Sequence, residues 1–205
     1  MEISLTVAID FTGSNGDQDK SSSLHYISPT GALNAYEKAI NGVGNILEAY
    51  DSDKKYPVYG FGAKTRTPEG DWGIVQHCFS LSAEKEVDGV SGILKAYKEC
   101  LPKLLFSGPT LFTPLINKVT ELAAGLNCSQ SNQKYLVLLI ITDGEINDME
   151  TTKTAIIRAS DQPMSIIIVG VGSANFSSMD ALDSDKQLVS GGGKTSKRDN
   201  VQFVP

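Results

Sequence analysis

The chain has few of the residues on which zinc sites and many catalytic sites depend. Its 205 residues include three cysteines, Cys78, Cys100 and Cys128, and two histidines, His25 and His77. The cysteines are widely spaced and form no CxxC pair, which predicts buried free thiols in a reducing compartment rather than disulfides or a zinc site. Neither histidine lies near a serine or cysteine motif, so we interpret both as structural or solvated.

Positive charge and long apolar runs are also scarce. Eighteen Lys and Arg residues stand against 24 Asp and Glu residues, and the net charge of −6 gives no electrostatic reason to expect nucleic acid. The longest apolar run, 165–171, has the length of a strand and is far shorter than the roughly 20 residues that span a bilayer. No basic and apolar leader of the signal-peptide type opens the chain. These absences predict a cytoplasmic protein that does not bind nucleic acid.

Apolar runs and amphipathic segments alternate along the whole chain, which favours an α/β fold with a mostly parallel, doubly wound sheet and helices on both faces. We expect one domain over 1–205, because no linker or internal repeat divides it. Strands that begin and end close to the termini suggest a piece of a longer protein. The predicted strands are 3–10, 57–61, 75–81, 134–142, 163–171 and 201–204, and the predicted helices are 30–50, 89–101, 112–126, 148–160 (N-capped by Asp148) and 175–182.

Two of the predicted strands end on an aspartate. Asp10 closes the first strand, with Thr12 and Ser14 at alternate positions after it, and Asp143 closes the continuous apolar strand that we expect to be central. In open parallel sheets, ligands bind beyond the carboxyl ends of the strands, where the strand order reverses. A turn before a predicted helix offers one more hydroxyl, that of Thr110. The five side chains predict a site for a hard divalent cation, which prefers oxygen ligands.

The division between neutral and charged donors has a chemical meaning. Hydroxyl groups would bind the ion directly, and the two aspartates would neutralise it directly or through water. With few anionic ligands the ion stays electrophilic and can accept one further carboxylate from a partner. The alternative is that an Asp-x-Thr-x-Ser segment is ordinary turn chemistry, in which short polar side chains bond to nearby backbone.

An enzyme is the competing hypothesis. Phosphatases of the haloacid dehalogenase type also place an aspartate after their first strand, and 143–148 resembles their late acidic motif. In that reading Asp10 is the nucleophile, but Thr12 stands where the family needs a general acid. A third hypothesis is a metal-independent structural interaction domain. We expect that the protein is not an enzyme.

The remaining short motifs favour structural roles. Segment 193–195 resembles the end of a P-loop, but the first glycine of that pattern is missing. Segments 60–62 and 170–172 are interpreted as tight turns after strands. Trp72 is placed in a loop, where it packs locally, and the acidic segment 50–54 is interpreted as a solvated helix end.

Taken together, the motifs resemble a von Willebrand factor A domain and, within that family, the A domain of copines. The resemblance implies a six-stranded sheet with one antiparallel edge strand and a metal-ion-dependent adhesion site for Mg²⁺ or Mn²⁺, with Ca²⁺ as a further candidate. Its implied ligands are Asp10, Thr12, Ser14, Thr110 and Asp143. The segments that carry the resemblance are 8–16, 23–26, 50–54, 60–63, 108–110, 139–144, 163–172 and 198–205.

The resemblance also implies a biological role. It predicts a protein-interaction module that binds an Asp or Glu side chain of an intracellular partner. Full-length copines resemble peripheral membrane proteins with paired calcium-dependent phospholipid-binding domains, which this sequence does not contain. Recruitment to the plasma membrane when calcium rises is therefore implied only for a full-length protein.

Overall fold

The computed structural model describes residues 2–183 and 187–205. Within them the strands are β1 (Glu2–Asp10), β2 (Lys55–Tyr56), β3 (Val58–Phe61), β4 (Ala63–Arg66), β5 (Trp72–Gln76), β6 (Phe79–Ser80), β7 (Val87–Asp88), β8 (Leu104–Phe106), β9 (Lys134–Thr142), β10 (Met164–Gly170) and β11 (Val201–Val204). The helices are α1 (Ala35–Glu48), α2 (Gly89–Cys100), α3 (Thr113–Ala124), α4 (Met149–Ala159) and α5 (Ser177–Asp180), and 3₁₀ turns lie at Gly13–Asn15 and Leu101–Lys103.

The main sheet has six strands in the order β11-β10-β9-β1-β3-β6. Neighbouring strands are parallel from β11 to β3, and β6 runs antiparallel to β3 at the edge. This arrangement confirms the predicted doubly wound, mostly parallel six-stranded sheet with one antiparallel edge strand.

Each face of the sheet is covered by helices. Side chains of α1 and α2 pack on one face, and side chains of α3, α4 and α5 pack on the other. Strand β9 shows the consequence for sequence, because its alternate residues from Leu136 to Ile141 enter the two cores in turn and all are 7% exposed or less. Each such side chain contributes about 1.5–3 kcal/mol by leaving water, which explains why this strand is a continuous apolar run.

The strand order reverses between β1 and β9. From β1 the chain passes through α1 to β3 on one side, whereas β9 lies on the other side. The parallel register pairs Ile9 with Ile141, so Asp10 lies beside Thr142. The two strand ends that carry Asp10 and Asp143 therefore meet at the point where such sheets bind ligands.

The prediction of a single edge strand at 75–81 is wrong. The segment is divided between β5, which belongs to a small three-stranded sheet with β4 and β8, and β6 of the main sheet. Trp72 lies in β5 rather than in a loop, and the guanidinium of Arg66 stacks 4.0 Å from its ring centre. The weak alternation could not show that the strand changes sheet in its middle.

Some predicted boundaries are also wrong. Helix α1 begins at Ala35, five residues later than the periodicity predicted, because Asn34 and Glu37 form a capping box that fixes its start. Helix α5 covers only part of the predicted 175–182.

Among the cysteines, which are all free, Cys100 is buried but Cys128 is exposed, against the expectation of buried thiols. None of the described helices has the length and apolar character needed to cross a membrane.

Candidate metal centre

Asp10 is fully buried at the end of β1 and accepts three hydrogen bonds. The backbone N–H and the hydroxyl of Thr12 donate to its Oδ1 at 2.8 and 2.6 Å. The hydroxyl of Thr142, at the end of the neighbouring strand, donates to its Oδ2 at 2.6 Å. The carboxylate is therefore held in one orientation by Thr12, which follows β1, and by Thr142, which ends β9.

The hydroxyls of Thr12 and Ser14 connect Asp10 to the second aspartate. The two hydroxyl oxygens lie 3.1 Å apart, and the Ser14 hydroxyl donates to Oδ1 of Asp143 at 3.0 Å. The 3₁₀ turn at Gly13–Asn15 brings Ser14 back over the sheet edge. Four of the five predicted site residues thus form one cluster across the strand ends, made of two hydrogen-bonded pairs whose hydroxyl oxygens are in contact.

The fifth predicted residue, Thr110, is held by two hydrogen bonds to Asn147, in the loop that follows Asp143. Its N–H donates to Oδ1 of Asn147 at 2.8 Å, and its carbonyl accepts from the N–H of Asn147 at 2.8 Å. Nearby, the N–H of Gly13 donates to the carbonyl of Ser107 at 2.6 Å. Thr110 is 8% exposed, but within residues 2–183 and 187–205 its hydroxyl makes no hydrogen bond to the other four predicted site residues.

Asp148 is the N-cap residue of α4, as predicted, but its side chain makes no capping hydrogen bond to that helix. Its carboxylate accepts from the N–H groups of Phe112 and Thr113 at 3.1 and 2.9 Å, and so caps α3. It also accepts from the hydroxyl of Thr152 in α4 at 3.0 Å. Asn147 and Asp148 therefore fix the Thr110 loop, and these contacts give the late acidic motif a structural role.

The electrostatics of the site favour a positive charge. Burial, and then the charge of Asp143, raises the pKa of Asp10 to about 7, although hydrogen bonds from Thr12 and Thr142 oppose the shift. Burial likewise raises the pKa of Asp143. In the part of the chain that the structure describes, neither carboxylate has a Lys or Arg partner in an ion pair. Buried carboxylates are normally paired or bound to metal, and this all-oxygen donor set fits a hard divalent cation.

His25 contacts the backbone carbonyl of Asp10 and so supports the site. From the sequence we could interpret this histidine only as structural or solvated. Its Nε2 lies 2.8 Å from the carbonyl oxygen of Asp10, which can only accept, so Nε2 carries the proton. Its Nδ1 then accepts from the hydroxyl of Tyr97 at 2.8 Å, and that hydroxyl accepts from Nδ2 of Asn34 at 3.0 Å. Burial lowers the pKa of His25 to about 3, which keeps the ring neutral.

A buried polar contact also holds the backbone of Thr12. Nδ2 of Asn15 donates to the Thr12 carbonyl at 3.2 Å, and the hydroxyl of Tyr36 donates to Oδ1 of Asn15 at 2.6 Å. The Tyr36 ring stacks on His25 with ring centres 3.9 Å apart. No local pattern in the sequence pointed to Asn15 or Tyr36, because their partners come from other parts of the chain.

The glycine-containing turns have the structural roles predicted for them. Gly62 has φ of +80°, and a Cβ there would overlap Cγ2 of Thr12. Gly172 has φ of +88° and lies two residues after the end of β10. Lys194 lies in a turn in which its N–H donates to the Ser190 hydroxyl at 3.3 Å. No described helix begins directly after Lys194, so this segment does not form a P-loop.

Solved structures with the same arrangement define the class of fold. The chain superposes on manganese-loaded TRAP protein from Plasmodium vivax with a TM-score of 0.57 and 11% identity, over 99% of this chain and 68% of that chain. Proximal thread matrix protein 1 from the mussel byssus, solved with a zinc-occupied MIDAS motif, gives a TM-score of 0.54 and 10% identity, over 99% and 43%. The fold is that of a von Willebrand factor A-type domain.

Closer relatives give the family. The copine family model matches residues 23–205. Protein BONZAI 2 of Arabidopsis thaliana is 50% identical over 208 residues, and Protein BONZAI 1 of the same plant is 49% identical over 208 residues, each over 99% of this chain. The chain belongs to the copine family. It spans about a third of the length of these relatives, 34% and 35% respectively.

Proposed function

We propose that this domain is a divalent-cation-dependent protein-interaction module. The observation that carries the proposal is the pair of buried carboxylates, Asp10 and Asp143, linked through two hydroxyls at the switch point of the sheet without a basic partner among the described residues. The cation would be held by Asp10, Thr12, Ser14, Thr110 and Asp143.

The hydrogen-bond directions suit this role. The Thr12 hydroxyl gives its proton to Asp10, and the Ser14 hydroxyl gives its proton to Asp143. Each hydroxyl oxygen keeps lone pairs for a cation. Because Oδ1 of Asp10 already accepts two hydrogen bonds, Asp10 acts mainly by orienting and polarising Thr12.

The exposure of the site explains how a partner would reach it. Ser14 is exposed, whereas Asp10 and Thr12 are buried, so the site opens on the Ser14 side. When bound, the cation supplies an electrophilic centre that can accept an Asp or Glu side chain of an intracellular protein. Mg²⁺ or Mn²⁺ is our first choice and Ca²⁺ a further one. The metals in the names of the distant structural neighbours, manganese and zinc, support a divalent ion in general.

The setting in the whole protein is part of the proposal. We place the domain in the cytoplasm, with contact to the plasma membrane made by calcium-dependent phospholipid-binding domains elsewhere in a full-length copine. The domain itself would contribute protein binding and no catalysis.

Thermal unfolding with and without cation tests the metal site. A ligand that binds only the folded state at 100 times its Kd stabilises it by about 2.7 kcal/mol. The parent chain should gain stability from Mg²⁺ or Mn²⁺, and Asp10→Asn and Asp143→Asn should lose that gain. Asp180→Asn, which changes an exposed aspartate of α5, should keep it. An unchanged metal response in both site variants would remove this proposal.

Two further measurements separate the alternatives. Partner capture that survives a chelator would favour a metal-independent structural domain. An adduct of a phosphate-mimicking fluoride at Asp10 would favour a phosphatase, whereas the proposed module forms none.

A further inference from the structure

A second group of carboxylates lies at the opposite end of β1. Glu2 begins this nine-residue strand, and Asp51 and Asp53 lie in the turn that follows α1. One carboxylate oxygen from each of the three residues lies within 4.8 Å of the others. At about 3.3 Å per residue, the strand separates this group from Asp10 by roughly 26 Å, so the two sites share no side chain.

Asp51 is the buried member of this group. Its burial corrects the interpretation of 50–54 as a solvated helix end. The residue is 4% exposed, whereas Asp53 is exposed. Its Oδ1 accepts from the N–H groups of Asp53 and Lys54, each at 3.3 Å. Its Oδ2 is buried and has no hydrogen-bond partner among the described residues.

The surroundings of Asp51 leave this oxygen unsatisfied. The hydroxyl of the fully buried Tyr56 also lacks a partner in the described part of the chain. Burial, and then the nearby charge of Asp51, raises the pKa of Tyr56. A buried carboxylate oxygen without a donor or cation costs about 1–3 kcal/mol or more. Native structures normally satisfy such an atom with water or an ion.

The charges nearby do not balance. The ammonium of Lys134 lies 3.4 Å from Oε2 of Glu2, and the ammonium of Lys55 is paired with Asp88 instead. Among the described residues, the only ion pair to these three carboxylates is that of Lys134 with Glu2, which leaves about two negative charges without a paired cation. One divalent cation would neutralise them.

We propose that Glu2, Asp51 and Asp53 form a second cation site, and that it takes Ca²⁺. Ca²⁺ accepts six to eight oxygen ligands at about 2.3–2.6 Å, so two of its ligands can lie up to about 5 Å apart, and it tolerates several carboxylates. Mg²⁺ usually takes only one or two carboxylates and demands stricter geometry. Water can complete the coordination on the exposed Asp53 side. The cation would tie the start of β1 to the α1–β2 turn.

Calorimetric titration with Ca²⁺ tests this site in a chain whose other site is disabled by Asp10→Asn and Asp143→Asn. We expect this background to bind Ca²⁺, and to bind it at least about tenfold more weakly, or not at all, once Asp51→Asn and Asp53→Asn are added, because affinity follows the number of charged ligands. Absence of Ca²⁺ binding in the background would overturn the proposal, since water alone would then satisfy Asp51. Unchanged affinity in the fourfold variant would overturn it as well.

Two controls keep the result interpretable. Glu69→Gln with Asp71→Asn removes two exposed carboxylates from another loop and should leave Ca²⁺ affinity unchanged. If Asp51→Asn prevents folding, judged by circular dichroism, Glu2→Gln decides, because it changes a partly exposed ligand. It should weaken Ca²⁺ binding about tenfold, and unchanged affinity would overturn the site. The adhesion-type site is judged separately, by the Mg²⁺ or Mn²⁺ response of Asp10→Asn alone.

Discussion

The hydroxyl of Thr142 donates a 2.6 Å hydrogen bond to Oδ2 of Asp10, although the two residues are 132 positions apart in the chain. Both side chains are fully buried. Parallel pairing of β1 and β9 sets them side by side at the strand ends. The bond therefore connects the register of the central sheet directly to the orientation of the first proposed metal ligand.

Thr142→Val should test how much this bond stabilises the site. The substitution keeps the shape but leaves Oδ2 of Asp10 buried without a donor, so we expect a loss of about 1–3 kcal/mol in the free energy of unfolding. Denaturant titration in the presence of chelator at pH 8 measures it. Thr120→Val is a matched control, because that buried hydroxyl donates to a backbone carbonyl, that of Ile116, and not to a carboxylate. Equal losses in both variants would contradict a special role for the Thr142 bond.

The pH dependence of stability should show two opposing contributions in the metal-free protein. The pKa of Asp10 is raised from 3.8 to about 7 on folding, so the folded state binds the extra proton and stability falls as pH rises from about 4 to 7. The pKa of His25 is lowered from 6.5 to about 3, so the unfolded state binds the extra proton and stability falls as pH drops from about 6.5 to 3. At about 1.4 kcal/mol per pKa unit, each contribution is roughly 4–5 kcal/mol, and the two largely cancel between about pH 4 and 6.5.

Single substitutions should separate these contributions. Asp10→Asn removes the contribution of the Asp10 carboxyl and leaves that of His25, so the stability of this variant should fall steeply on acidification below pH 6. His25→Gln removes the contribution of the histidine and leaves that of Asp10, so the stability of this variant should fall as pH rises towards 7. Urea unfolding in chelator across pH 4.5–7.5 measures both, with Asp180→Asn as a control that should follow the parent. Parallel pH profiles for Asp10→Asn and the parent would show that the Asp10 carboxyl does not titrate in this range.

Much of the site could be predicted because strand ends are visible in the sequence. Apolar runs that stop at Asp10 and Asp143 predict carboxylates at one sheet edge, and a turn before a predicted helix indicated the hydroxyl of Thr110. The structure brings Asp10, Thr12, Ser14 and Asp143 into one cluster of two hydrogen-bonded pairs. Their binding of a metal stays a prediction.

The supporting contacts could not be predicted, because they depend on register and on side chains from distant segments. His25 binds the Asp10 carbonyl across a loop, and nothing in its neighbours in sequence indicates that. Asp148 occupies an N-cap position, but its carboxylate turns to α3 because two free N–H groups lie there. The fold followed from periodicity, whereas the division of 75–81 between two sheets depends on tertiary pairing.

Gly62→Ala should damage the site through its backbone. Gly62 has φ of +80° and a Cβ would overlap Thr12, so we expect a loss of at least about 3 kcal/mol from combined strain and overlap. Gly70→Ala is the matched control, because Gly70 has φ of +93° but nothing within 4 Å of the added Cβ, and should lose only about 1–2 kcal/mol. Denaturant midpoints give both values. A Gly62 variant no less stable than the Gly70 variant would show that Thr12 can move away freely.

Asp148→Ala should weaken the metal response although Asp148 is not a proposed ligand. Its carboxylate caps α3 at Phe112 and Thr113, just after Thr110, and its loss should reduce the free energy of unfolding by about 1–2 kcal/mol. Because Thr110 then loses part of its support, the stabilisation by Mg²⁺ should also fall. Asp148→Asn keeps one acceptor oxygen and should fall between the parent and the alanine variant.

The control for Asp148 is its neighbour on the same helix. Glu150 is exposed and pairs with Lys153 at 3.0 Å, so Glu150→Gln should change stability by less than about 0.5 kcal/mol and leave the Mg²⁺ response intact. Thermal unfolding of the variants with chelator and with Mg²⁺ separates the two effects. If Asp148→Ala loses stability but keeps the full Mg²⁺ response, the capping contact stabilises α3 without positioning Thr110.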